Sequence, residues 1–225
     1  MLLDELRERR LQRQPPDAVQ LMTQAGMPPD PWQQQVLQSQ ADRILLNCCR
    51  QSGKSQITAA LALATAFRER DALILVLSPS LRQSQESFRK VSDLYRTCAA
   101  PMPPQAESAL RLELRNGSRI VSLPGTESTI RGYSKVRLLI VDEASRCEDP
   151  LYYSLRPMLS ISHGRLICLS TPFGRRGFFY QRSGKKLMQS SADGGYDRRQ
   201  IHPRQGGGRP CHTTGPKIRS SRTSN

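Results

Sequence analysis

The chain of 225 residues contains no apolar run of membrane-spanning length. Met1-Leu2-Leu3 passes at once into Asp4-Glu5 and arginine-rich sequence, without the apolar segment of a secretory signal. Metal-binding residues are sparse. There are three histidines (His163, His202, His212), and the six cysteines (48, 49, 98, 147, 168, 211) show no C-x-x-C or paired spacing. That pattern argues against a zinc site or a disulfide framework and for a reducing, cytoplasmic setting. Cys98, Cys147 and Cys168 lie near the ends of apolar stretches and read as small buried hydrophobes. Aromatic residues make up 5% and hydrophobic residues 37%, so part of the chain is not expected to contribute to a core. Internal repeats are absent. Acidic residues are outnumbered, 19 Asp/Glu against 34 Lys/Arg, and the net charge of +15 points to a polyanionic partner, usually nucleic acid. The excess is uneven: Gln181 to Asn225 holds ten Lys/Arg and two Asp/Glu, leaving +7 on the first 180 residues.

Against these absences stands one stretch, Ile44-Leu45-Leu46-Asn47-Cys48-Cys49-Arg50-Gln51-Ser52-Gly53-Lys54-Ser55, followed by alanine-rich helical sequence. Strand, polar loop and helix in that order make a phosphate cradle. Loop N–H groups and the helix N-terminus face the anion, and the helix dipole adds positive potential. Gly53 lets backbone approach closely, Lys54 can reach the β/γ-phosphates, and the Ser55 hydroxyl can ligate Mg²⁺. The loop departs from G-x-x-x-x-G-K-[ST], because Cys48 occupies the first glycine position.

The remaining pattern predicts an α/β fold, a mostly parallel sheet with helices on both faces. Leu2 to Arg13 reads as a short amphipathic helix, and a second short helix ends at Gly26. Pro31 starts another after Asp30, and Arg43–Cys48 is a strand. A helix to about Arg70, a strand at 72–77 and a helix capped by Ser80 follow. Residues 110–114 and 119–123 form a hairpin around Asn116-Gly117, and strands at 136–141 and 165–170 flank a helix starting at Asp149-Pro150. Residues 101–104 and 124–134 read as loops. Beyond Gly184 apolar periodicity stops, so residues 187–225 are expected to be a disordered basic tail. The expected division is a helical segment at 1–26, one domain at 27–186 and the tail at 187–225.

Four stretches fall at the carboxyl ends of predicted strands or beside them, where open α/β sheets bind ligands. Beyond the phosphate loop, Leu138-Leu139-Ile140-Val141-Asp142-Glu143 ends an apolar strand in two carboxylates. The first suits Mg²⁺ and the second can polarise a water, although Asp-Glu after a strand is also a common helix start. Ser170-Thr171-Pro172 can sense a γ-phosphate or be an ordinary strand-to-loop transition. In Trp32-Gln33 the amide can pair with an adenine edge; alternatively this is a core tryptophan beside surface glutamines. Arg50 lies inside the loop, where burial without an anion is costly, which favours a phosphate contact. Arg131 is a trans arginine finger or a solvated loop charge.

Together, Pro31-Trp32-Gln33, Cys49-Arg50-Gln51-Ser52-Gly53-Lys54-Ser55, Thr129-Ile130-Arg131-Gly132, Leu139-Ile140-Val141-Asp142-Glu143-Ala144 and Leu169-Ser170-Thr171-Pro172 resemble the ATPase half of a tailed-bacteriophage terminase large subunit, over residues 25 to 183. The Arg-Gln-x-Gly-Lys-Ser loop without a first glycine suits that family. The resemblance implies a RecA-like ASCE P-loop NTPase fold, with ATP and Mg²⁺. Gln33 becomes the adenine reader, and Cys49, Gln51, Ser52, Gly53, Lys54 and Ser55 hold phosphate. Arg50 contacts the γ-phosphate, Ser55 and Asp142 serve the metal, Glu143 is the catalytic base, and Ser170 and Thr171 couple. Arg131 fits the trans finger by position. It also implies packaging of double-stranded DNA by a homo-oligomeric ring working with a portal protein and a small terminase subunit. The setting would be a bacterial cytoplasm, with no membrane partner. The sequence departs from the family after Phe179-Tyr180, where no nuclease-like βαβ pattern follows and only Asp193 and Asp197 come after Asp149. Nuclease activity is therefore expected to be absent, and the Gly/Arg/Ser/Pro-rich end resembles out-of-frame translation of a degraded prophage gene. The alternatives are a helicase-like ATPase, or an inactive remnant that binds nucleotide or DNA.

Overall fold

The computed structural model describes residues 15–98, 102–130, 132–184 and 217–221. In chain order the elements are α1 (Ala18–Gln24), α2 (Pro31–Gln38), β1 (Arg43–Asn47), α3 (Lys54–Arg68), β2 (Leu73–Ser78), α4 (Leu81–Thr97), β3 (Pro104–Glu107), β4 (Arg111–Leu114) and β5 (Arg119–Pro124). They continue with α5 (Glu127–Ile130), β6 (Val136–Asp142), a 3₁₀ turn (Ala144–Arg146), α6 (Asp149–Ser162), β7 (Arg165–Ser170), α7 (Gly177–Gly184) and β8 (Lys217–Ser221).

Local chemistry sets the boundaries. Asp17 and Gln20 form a reciprocal capping box at the start of α1, each side chain accepting the other's backbone N–H at 2.8 Å. Ser80 Oγ accepts the Gln83 N–H at 3.3 Å to open α4. At the Asn116-Gly117 turn, the Asn116 amide donates to the carbonyls of Ala66 and Glu69, at 2.8 and 2.9 Å. The hairpin thereby satisfies acceptors left open at the end of α3.

The sheet runs β3-β4-β5-β2-β6-β7-β1-β8. From β5 through β2, β6 and β7 to β1 every neighbouring pair is parallel; β3–β4, β4–β5 and β1–β8 are antiparallel. β2 is buried at every position, as a central strand between helical layers must be. Strand alternation divides the core in two. Ile44, Leu46, Ile74, Val76, Ile140 and Leu169 pack with α1 to α4, while Leu45, Leu75, Leu77, Leu139, Val141 and Cys168 pack with α6 and α7. The expected mostly parallel α/β sheet, with helices on both faces, is the one observed.

Four elements depart from expectation. β3 begins at the last residue of the loop expected at 101–104 and continues through residues that carried no expectation, and its residues are all exposed, so no burial pattern marks it. α5 occupies one turn of the polar stretch after β5. α7 follows a Gly-Arg-Arg-Gly segment and is held by buried Phe178 and Phe179. Within the stretch expected to be a disordered tail, the described residues are Lys217–Ser221, and these pair antiparallel with β1, covering an edge that would otherwise present open N–H and C=O groups. The helix expected at Leu2–Arg13 and the rest of the tail lie outside the described residues. Among those described, no helix is long and apolar enough to cross a membrane.

Candidate nucleotide site

The strand register brings three strand ends together. Asn47 at the end of β1 pairs with Ser170 of β7, and Asp142 at the end of β6 pairs with Leu169. The Cys48 N–H donates to the Ser170 carbonyl at 3.0 Å, carrying the ladder one residue into the phosphate loop.

The loop then turns into α3 through two left-handed residues, Gln51 at φ 58° and Gly53 at φ 78°. Gly53 is the N-cap of α3 at a torsion that favours glycine, and a Cβ there would lie 2.5 Å from Gln33 Nε2, so the amide would have to shift to admit one. Ser52 Oγ and the buried Lys54 Nζ both donate to the Cys49 carbonyl at 3.0 Å. Ser55, second in α3, presents a partly buried side chain whose hydroxyl makes no hydrogen bond among the described residues. Arg50 is exposed and without an ion pair there. The burial cost that favoured a phosphate contact therefore does not apply, although its guanidinium is open to an anion. The Cys48 thiol is pushed up to about 11, chiefly by burial and against the nearby Lys54 charge, whereas Cys49 is exposed.

Gln33 lies beside the loop and is buried. Its Oε1 accepts the Asp30 N–H at 3.0 Å and its Nε2 donates to the Ser52 carbonyl at 3.2 Å. Both ends of the amide expected to read adenine are thus engaged within the protein, where they brace α2 against the loop.

Asp142 and Glu143 are held differently. Asp142 Oδ2 accepts Ser87 Oγ from α4 at 3.1 Å, and Oδ1 accepts the Glu143 N–H at 2.9 Å. Burial, then the Glu143 charge, push the Asp142 pKa up; the two hydrogen bonds and the Lys54 ammonium pull against that rise. Glu143 adopts a left-handed backbone, φ 49°, unusual for a side chain of its size. Its Oε2 accepts from Ser170 Oγ and Thr171 Oγ1, both at 3.3 Å, and lies 3.9 Å from Arg146 Nε. Ser145 Oγ lies 2.6 Å from Ser170 Oγ and donates to the Thr171 carbonyl at 3.0 Å. A carboxylate between two hydroxyls and a guanidinium is fixed in orientation against the end of β7, the strand that neighbours β1 in the sheet.

The structure therefore gathers Gln33, Cys49, Ser52, Gly53, Lys54, Asp142, Glu143, Ser170 and Thr171 around one sheet edge. Arg131 lies outside the described residues. Three participants carried no prior assignment. Ser87 belongs to a stripe of buried serines on α4 with Ser84, which was legible only as helix period. Ser145 and Arg146 follow the carboxylates directly, and proximity was their only signal.

Comparison with known proteins agrees with this geometry at the level of fold. The large terminase ATPase domain of Thermus phage P74-26 is 23% identical, with a TM-score of 0.62 and 71% of each chain covered. The large terminase of a second, different phage, a thermophilic bacteriophage whose protein was solved with ADP, is 12% identical, with a TM-score of 0.58, covering 71% of this chain and 43% of that one. S. cerevisiae Dbp5, in a complex that includes ADP, is 15% identical, with a TM-score of 0.52 and coverage of 77% and 50%. The terminase-like, RecA-like ATPase fold expected from the motifs is the fold found. No curated protein sequence matches the chain. A family model described as RNA cytidine acetyltransferase NAT10/TcmA, helicase domain, matches residues 45–191, which include the phosphate loop, both carboxylates and the Ser170-Thr171 strand end. The chain belongs to this helicase-domain family.

Proposed function

We propose that the protein is an ATPase whose turnover is coupled to nucleic acid. The observation that carries this is the placement of Glu143, gripped by Ser170 and Thr171, beside Asp142 and the Lys54 loop at the carboxyl edge of a parallel sheet.

In this reading the triphosphate lies against the loop N–H groups and the N-terminus of α3. Lys54 exchanges its bond to the Cys49 carbonyl for the β/γ-phosphates. Glu143 accepts the proton of a water that attacks the γ-phosphorus in line; the bond to the bridging oxygen breaks, and ADP and phosphate result. The donors fit Mg²⁺, a hard cation that typically takes one or two carboxylates and substrate oxygens. Ser55 offers a hydroxyl that makes no hydrogen bond among the described residues, and Asp142 offers a carboxylate. When bound, Mg²⁺ would neutralise charge on the β/γ-phosphates. The hydroxyls of Ser170 and Thr171 join the base to β7, so loss of the γ-phosphate is felt where the strand leaves the sheet.

Two polymers fit. A terminase-type motor would translocate double-stranded DNA in a homo-oligomeric ring with a portal protein and a small subunit, in a bacterial cytoplasm; the ordered motifs and the terminase-like fold support it. A helicase-type ATPase is favoured by the match over residues 45–191. Steady-state ATP hydrolysis with duplex DNA, single-stranded DNA and RNA in parallel tests the proposal. Stimulation by duplex selects the first reading and stimulation by a single strand the second. Turnover unaffected by every polymer would remove the coupling altogether.

A further inference from the structure

Between Thr171 and α7, residues 172–176 form an arm next to Glu143 that has no role in the chemistry above. It is fastened at both ends. Ser145 Oγ donates to the Thr171 carbonyl at 3.0 Å, and Asp149 Oδ1 accepts the Phe178 N–H at 2.6 Å. Two left-handed glycines, Gly174 at φ 73° and Gly177 at φ 75°, fold the arm outward between those anchors. Pro172, Phe173, Gly174, Arg175 and Arg176 are all exposed.

The outward face has an unusual composition. Phe173 is among the few large hydrophobics left in solvent, at 39% exposure. Arg146 stands over its ring, 4.5 Å from guanidinium carbon to centroid, and Arg176 at 5.4 Å. Arg175 and Arg176 have no ion pair among the described residues. Two of the three acids nearest in sequence are occupied: Glu143 faces Ser170, Thr171 and Arg146, and Asp149 holds the Phe178 N–H, while Glu148 is exposed and makes no ion pair with the arm among the described residues. An exposed aromatic stacked with arginines, with one further cation, Arg175, next to it in the arm, suits a flat π-system attached to phosphates. A duplex keeps its bases paired and stacked, so a stacking platform takes an unpaired base.

We infer that this arm is a docking platform for a single-stranded polynucleotide, with one base entering the Arg146–Phe173–Arg176 stack and neighbouring phosphates on Arg175 and Arg176. The inference rests on the nucleic-acid-dependent reading and names its partner and contact. It also gives the partner a path to the base of hydrolysis, because Arg146 touches the stack on one side and Glu143 on the other.

Fluorescence anisotropy of a short labelled single strand, at physiological salt and without nucleotide, tests it on the full chain. Phe173→Ala should weaken binding by about 5- to 150-fold, the range for one stacked base, while a blunt duplex of the same sequence changes by less than about twofold. Phe173→Trp should retain binding and show tryptophan quenching as the strand is added, which also controls for misfolding of the alanine variant. Single-strand binding unchanged in Phe173→Ala, equal losses for duplex and single strand, or no binding by the wild-type chain would each overturn the platform. Phe173-dependent binding in a chain that hydrolyses no ATP would sink the ATPase reading and leave the platform standing.

Discussion

Replacing Gly53 by alanine probes how the phosphate loop is held, and its cost can be worked from the coordinates. The residue sits at φ 78°, where a Cβ is disfavoured by about 1–2 kcal/mol. That Cβ would also stand 2.5 Å from Gln33 Nε2, so the glutamine must withdraw and lose its 3.2 Å bond to the Ser52 carbonyl, worth about 0.5–1.5 kcal/mol. The sum is about 1.5–3.5 kcal/mol, or a fall in Tm of about 3–14 °C for a domain of this size. The two contributions separate in a double-mutant cycle. In a Gln33→Ala background the collision is gone and only the torsional part, about 1–2 kcal/mol, remains. Chemical denaturation of the four proteins should therefore give a coupling of about 1 kcal/mol between positions 33 and 53. Strict additivity, or a Gly53→Ala variant as stable as wild type, would refute the picture of Gln33 as a brace against the loop.

Asp142→Asn should raise the Tm of the nucleotide-free protein at neutral pH while abolishing turnover. The sign follows from linkage: a carboxyl whose pKa is raised in the fold contributes most stability when protonated, and that contribution is lost as pH rises through the folded value. Wild-type stability should accordingly decline relative to Asp142→Asn across that interval, and parallel pH profiles would contradict the assignment. Thiol labelling under native, mildly alkaline conditions should modify Cys49 rapidly. Cys48 and Cys147, at about 11, and fully buried Cys168, at about 12, should react only after denaturation. Prompt modification of Cys168 would show that the β7 face is more open than described.

Most of the architecture could be read from periodicity and punctuation. The unbroken run Leu73-Ile74-Leu75-Val76-Leu77 announces a strand covered on both faces, Asp30-Pro31 and Ser80 announce helix starts, and Asn116-Gly117 announces a hairpin. The missed elements lack such signals. β3 is fully exposed and begins in a proline-rich stretch, α5 is a single turn, and α7 depends on Phe178 and Phe179 reaching a core assembled from distant strands. The strand at Lys217–Ser221 is defined by the open edge of β1, information that its own five residues do not contain. At the site, sequence order supplied Lys54, Asp142, Glu143 and Ser170-Thr171, because each ends or follows a strand and parallel topology gathers those ends on one edge. It could not supply Ser87, brought to Asp142 from 55 residues away by the packing of α4. Nor could it reveal that Gln33 spends both ends of its amide on Asp30 and Ser52, because a side-chain hydrogen bond leaves no period in the sequence.

We propose above that this sheet edge binds ATP through Lys54 and hydrolyses it through Glu143. The most direct measurement is ATP binding and steady-state turnover in wild type, Lys54→Ala and Glu143→Gln. Wild type should turn over, Lys54→Ala should lose both binding and turnover, and Glu143→Gln should retain binding with turnover reduced about 10²- to 10⁴-fold. Wild-type turnover that survives Glu143→Gln unchanged, or no ATP binding by the folded wild-type protein, would contradict it.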